Sequence, residues 1–202
     1  MEKIRPKAIL FDMDGVLVDS IDSWCQSLNH ALKSHDMDPI SKEEFFEKYW
    51  GHDLYDNLKR NKLPLKVGMF CNNVYGDHLG AVKIYENVKE VLEKLSAYPK
   101  CVVTNTPRDC TKQILKNFNI KKYIKNIFKS DDVKLAKPNP EIILLACKKL
   151  GLKPEEIVLV GDTDSDIKAG KAAGCNVIGI RIKADYYVED ISGILEIFVN
   201  NI

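Results

Sequence analysis

The sequence predicts an α/β fold, a doubly wound parallel sheet interrupted by an inserted helical domain. Three observations support this. Short apolar, β-branched runs recur along the chain, and continuous runs of that length fit strands buried on both faces by covering helices. Helix start and stop residues fall in the gaps between them. One gap, of about 85 residues, is far longer than an ordinary crossover and carries only helical signals.

The first strand is expected at Lys7 to Phe11 (KAILF). After it, Trp24, Leu28, Ala31 and Leu32 share one helix face, and Ser41 with Glu44 reads as a capping box before Phe45 and Phe46. Leu54 and Leu58 continue the helical spacing, followed by an apolar, asparagine-rich stretch from Gly68 to Gly80 and a helix from about Asn87 to Leu95. The insert is placed at residues 18–85, with the α/β core built from residues 1–17 and 86–202. Further strands follow at Lys100 to Val103, Asn126 to Lys129, Ile157 to Val160 and Asn176 to Ile182. Asn139 and Pro140 open a helix that Gly151 closes, and Gly174 closes another that runs from Asp166 to Ala173.

The chain has 202 residues, enough for one sizeable core beside a small insert. Its 30 Lys and Arg nearly balance 29 Asp and Glu. No global field therefore recruits nucleic acid or an anionic membrane, and a charged substrate must be captured locally. No window approaches the ~18 consecutive apolar residues of a membrane span, and the N-terminus lacks a secretory h-region. The expectation is a soluble, cytoplasmic, monomeric protein. The six cysteines are scattered without a C-x-x-C pair, so they read as small core residues. His30 and His35, five apart, share a helix face too poorly for a zinc site.

Ligands of open parallel sheets bind at the carboxyl ends of the strands. The first strand ends at Asp12, the second at Thr104 and Asn105, and the fourth at Gly161 and Asp162, with Asp166 about one helical turn beyond. Lys137 follows the third strand in AKPNPE. Each has an ordinary reading as a turn former, a helix start or a solvated lysine. Asp162, Asp164 and Asp166 imitate the start of a calcium loop, but Ile167 stands at the required glycine and Ala173 at the closing glutamate. The functional reading rests on several uncommon strings meeting at one sheet edge.

Those strings, FDMDGVLVDS, VVTNTP, AKPNPE and VGDTDSD, resemble in order and spacing the four motifs of the haloacid dehalogenase superfamily. IVLVGDTDSDIKAGKAAGCNVIGI is similar to its phosphoglycolate phosphatase and β-phosphoglucomutase branch, which carries a helical cap. The resemblance implies a Rossmann-like core with strand order five, four, one, two, three. It also implies a Mg²⁺-dependent phosphatase acting on a small phosphate ester through an aspartyl phosphate. Asp12 would be the nucleophile and Asp14 the general acid and base, an aspartate that carbon–halogen cleaving members lack. Asp12, Asp162 and the main-chain carbonyl of Asp14 would hold the metal, with Asp166 bound directly or through water. Lys137 would neutralise charge, and Thr104 would bind the transferring group. Gly15 would make the tight turn, and Gly15 and Asn105 would border the phosphate. Gly51, His52 and Asp53 of the cap, with Arg108 for a second anionic group, are the expected substrate contacts. The alternatives are a phosphosugar mutase and, from another class, a receiver-type phosphoacceptor domain, which would lack the insert.

Overall fold

The computed structural model describes residues 4–51 and 53–198. Six strands form one parallel sheet: β1 (Ala8–Phe11), β4 (Lys100–Thr104), β5 (Asn126–Lys129), β6 (Ile157–Gly161), β7 (Asn176–Ile180) and β8 (Tyr186–Val188). Their order is β5-β4-β1-β6-β7-β8. The five expected strands thus stand in the expected order with β1 between β4 and β6. The sixth, β8, pairs with β7 at Ile178 to Ile180 and extends that edge; its three residues are too few for a periodic signal.

Side-chain alternation explains the two helical layers. Ile9 and Phe11 of β1 join one buried cluster with Val91 and Leu92 of α5 (Val88–Lys94), Ile114 and Leu115 of α6 (Arg108–Asn117), and Ile194 of α9 (Ile194–Ile197). Ala8 and Leu10 face the other way, against Ile142, Ile143 and Ala146 of α7 (Glu141–Leu150) and Ala169 of α8 (Asp164–Ala173). With both faces covered, nearly every residue of the central strands is apolar, which is the pattern the runs displayed. Gly151 and Gly174 end α7 and α8. Helix α8 starts two residues earlier than expected because Thr163 and Asp166 cap it reciprocally.

The long gap holds α1 (Ile21–Lys33), α2 (Lys42–Tyr49), α3 (Leu54–Arg60), α4 (Leu65–Val74) and a 3₁₀ stretch, Tyr75–Ala81. The reading of the gap as wholly helical needs correction: β2 (Val18–Asp19) pairs antiparallel with β3 (Lys83–Ile84) where the chain leaves and re-enters the core. Two-residue strands leave no hydrophobic period to detect. Ser41 caps α2 by accepting from Glu44 N, and Trp24 packs its ring 4.2 Å from that of Tyr75, joining α1 to the 3₁₀ stretch. All six cysteines are buried and unbridged. Among the described residues no helix is long and apolar enough to cross a membrane.

Candidate active site at the strand ends

Sheet register puts the acidic residues together. Phe11 stands opposite both Val102 and Val160, so Asp12 lies one step beyond, beside the ends of β4 and β6. Asp12 N donates to Val160 O at 2.9 Å, which holds the chain in line to that point. A carboxylate oxygen from each of Asp12, Asp162 and Asp166 lies within 4.8 Å of the others, close enough to share one metal ion.

Among the described residues one cation balances this cluster. Lys137 Nζ lies 2.9 Å from Asp12 Oδ1 and 2.6 Å from Asp166 Oδ1, and donates to Val103 O at 3.0 Å. These three partners use all three ammonium protons. Lys137 is only 2% exposed. Burial alone would lower its pKa, yet Asp12 and Asp166 overcome that and hold it above the ordinary lysine value. The carboxylates show the complementary strain. Burial first, then the charge of Asp166, pushes Asp12 up to about 8 even with Lys137 opposing. Burial, Asp166 and Asp12 likewise raise Asp162 well above the carboxylate range. Asp162 Oδ1 is buried without a hydrogen-bond partner, and an orphaned carboxylate oxygen facing two more carboxylates is what a divalent cation would satisfy.

Two glycines allow this crowding. Gly15 has φ +82°, and a Cβ there would lie 1.9 Å from Asp162 Oδ2. Gly51 has φ +81°, and its Cβ would lie 3.2 Å from Thr163 Cγ2, so the turn between α2 and α3 sits directly on the core loop carrying Thr163.

Asp14 is held by three hydroxyls. Ser20 donates to Oδ1, Thr106 donates to Oδ2 at 2.5 Å, and Thr104 reaches the same oxygen at 3.3 Å. Ser20 and Thr106 were missed in the sequence; Thr106 lies in the bend after β4, where its amide donates to Thr104 Oγ1 at 3.1 Å.

The structure brings Asp12, Asp14, Thr104, Lys137, Asp162, Asp166 and Gly15 to one place, with Gly51 against it. The other expected contacts have partners within the chain. The side chain of Asn105 is occupied by the main chain of Lys137: Nδ2 donates to its carbonyl and Oδ1 accepts from its amide, both at 2.9 Å. It therefore fixes the lysine loop. Asp53 caps α3, accepting from Tyr55 N and Asp56 N. Arg108 pairs with Asp132 at 2.8 Å and its amide donates to Asp131, so it is tied to its own surface. His52 lies outside the described residues. Asp166 is fully buried, its second oxygen accepting from Thr163 N and Oγ1; it is engaged on both oxygens, which suits an anchor for Lys137 and Thr163.

Above the carboxylates is a cavity of about 80 Å³, small beside the ~300–1,000 Å³ typical of drug-sized ligand sites. Asp12, Asp14, Thr104 and Lys137 form its floor, and Trp24, Phe45, Tyr49, Trp50, Leu54 and Pro107 are in its walls.

Comparison with known proteins agrees with this geometry. The model for haloacid dehalogenase-like hydrolases matches residues 9–180. Pyrophosphatase PpaX of Bacillus velezensis is 31% identical over 96% of each chain. A phosphoglycolate phosphatase of Haemophilus influenzae is 31% identical over 90% of this chain and 88% of its own. A crystal structure described as a predicted phosphoglycolate phosphatase from Haemophilus somnus superposes with a TM-score of 0.80 at 30% identity, covering 95% of this chain and 97% of the other. A Lactobacillus plantarum protein shares the fold, with a TM-score of 0.87 at 19% identity over 96% of this chain and all of its own. With the family's model spanning most of the sequence and a relative 31% identical over nearly its whole length, the chain belongs to the haloacid dehalogenase-like hydrolases.

Proposed function

We propose that this hydrolase is a Mg²⁺-dependent phosphatase that cleaves a small phosphate monoester through a phosphorylated Asp12. The observation that carries the reading is the buried group of Asp12, Asp162 and Asp166, balanced among the described residues by Lys137 and containing an orphaned oxygen on Asp162. Asp12, Asp162 and the main-chain carbonyl of Asp14 are the hard oxygen donors that would hold Mg²⁺, with Asp166 behind them. When bound, the ion would offset the carboxylate charge and draw the phosphate in.

The chain's own groups then do the rest. Lys137 and the amide of Met13 hold Asp12 Oδ1, which leaves Oδ2 to attack phosphorus in line with the ester oxygen. As the new O–P bond forms and the ester P–O bond breaks, Asp14 gives its proton to the departing oxygen. Ser20, Thr104 and Thr106 keep that carboxyl aimed at the leaving group. A water then attacks phosphorus, Asp14 takes its proton, and the Asp12–phosphorus link breaks, which restores the carboxylate. Lys137 stabilises the extra negative charge in both steps. The helices between β2 and β3 form the cap of this reading, roughly residues 18–85, and hold water back with the Gly51 turn.

The small cavity and the names of the two relatives, a pyrophosphatase and a phosphoglycolate phosphatase, favour a compact substrate. The test is phosphate release from a panel of phosphorylated metabolites with Mg²⁺, comparing the wild type with Asp12→Asn. Turnover should fall by several orders of magnitude in the variant, and a variant near the wild-type rate removes the nucleophile assignment.

A further inference from the structure

The walls of the cavity say what kind of alcohol leaves. Trp24, Phe45, Tyr49, Trp50, Leu54 and Pro107 line the space beside Asp12, Asp14, Thr104 and Lys137, and its remaining polar side chains are already engaged, Asn105 by the main chain of Lys137, Thr106 by Asp14 and Thr163 by Asp166. Among the described residues, Lys137 is the only cation lining it, and its three protons already serve Asp12, Asp166 and Val103. The two nearby arginines are committed elsewhere. Arg108 pairs with Asp132, while Arg181 donates to Gly15 O at 3.1 Å and lies over the Tyr85 ring. A second carboxylate or phosphate on the substrate would lose its water among ring faces, which carry negative quadrupoles, and gain no ion partner. An uncharged hydrocarbon group there would simply be taken out of water.

We infer that, within the phosphatase reading on which this rests, the substrate is a phosphate monoester of an uncharged, largely apolar alcohol, and that Trp50 and its aromatic neighbours grip that alcohol. This departs from the substrate named in phosphoglycolate relatives.

Esters matched in size isolate the charge. Isobutyl phosphate and phosphoglycolate differ in carrying an isopropyl group or a carboxylate on the same carbon, and glycolate is the more acidic alcohol, so leaving-group chemistry runs against the proposal. With Mg²⁺ and wild-type protein, kcat/KM for isobutyl and benzyl phosphates should exceed that for phosphoglycolate and for pyrophosphate by tenfold or more, about 1.4 kcal/mol of discrimination. Trp50→Ala should lower kcat/KM for benzyl phosphate at least tenfold more than it lowers that for methyl phosphate, which has almost no apolar group to grip. Turnover with phosphoglycolate or pyrophosphate equal to or above isobutyl phosphate overturns the proposal and leaves the phosphatase reading standing. No turnover of any ester removes both. Equal loss for methyl and benzyl phosphates in Trp50→Ala refutes the aromatic grip.

Discussion

Replacing Lys137 with methionine isolates the electrostatics of the site from its chemistry. Methionine keeps much of the lysine stem, so the packing changes little while the charge disappears. The lysine is 2% exposed and sits 2.9 Å from Asp12 and 2.6 Å from Asp166, whose side chains are 10% and 0% exposed. Solvent therefore screens little of the loss. Removing one partner of a buried ion pair costs about 3–5 kcal/mol because the other charge is left uncompensated. For a chain of this size each kcal/mol moves the melting temperature by about 2–4 °C, which gives a loss of about 6–20 °C. Calorimetry in chelator at pH 8 reads it directly. The sign with pH follows from the carboxylates. Without Lys137, protonating Asp12 relieves the repulsion, so the deficit should shrink toward pH 5. A variant melting within about 2 °C of wild type at pH 8, or a deficit that grows on acidification, would show that Lys137 does not hold this cluster together.

The metal should act on stability in the same sense. Asp12 and Asp162 have folded pKa values raised above their unfolded ones, so their contribution is fully present below about pH 4 and is lost as the pH rises through about 8 for Asp12. Metal-free melting temperature should therefore fall across that window, more steeply in wild type than in Asp162→Asn, and saturating Mg²⁺ should raise it more at pH 8 than at pH 5.5, as ligand linkage requires. Equal Mg²⁺ shifts at both pH values, or none, would remove these carboxylates from the metal site. Asn105→Ala deletes both hydrogen bonds to the Lys137 main chain and should cost about 1–3 kcal/mol of stability. It should also lower kcat at least tenfold with KM little changed; unchanged kcat would mean that the lysine loop holds itself in place.

Much of the core was legible because burial on both faces leaves an unbroken apolar string, and KAILF, KCVV and IVLV each became a central strand. The acidic cluster was legible for a related reason. Once strands are parallel, their carboxyl ends must meet, so Asp12 and Asp162 could be placed together without knowing a single contact. What stayed hidden depends on partners distant in sequence or on elements too short to have a period. Nothing local tells that Asn105 turns to a main chain 32 residues away, or that Arg108 finds Asp132. The β2–β3 pair spans two residues on each side and carries no alternation to read. The Gly51 turn, expected as a substrate contact, sits against Thr163 of the core, whereas Asp53 beside it caps α3.

Phosphorylation of Asp12 is the step on which the proposed chemistry depends. Mixing the protein with Mg²⁺ and a turned-over ester, quenching in acid within one turnover and reducing with borohydride converts an aspartyl phosphate to homoserine, which peptide mass spectrometry locates. The expected result is homoserine at position 12, dependent on substrate and absent when Asp14→Asn enzyme, slowed in the first step, is quenched equally early. Steady turnover with an unmodified Asp12 peptide, or modification confined to another carboxylate, would contradict it.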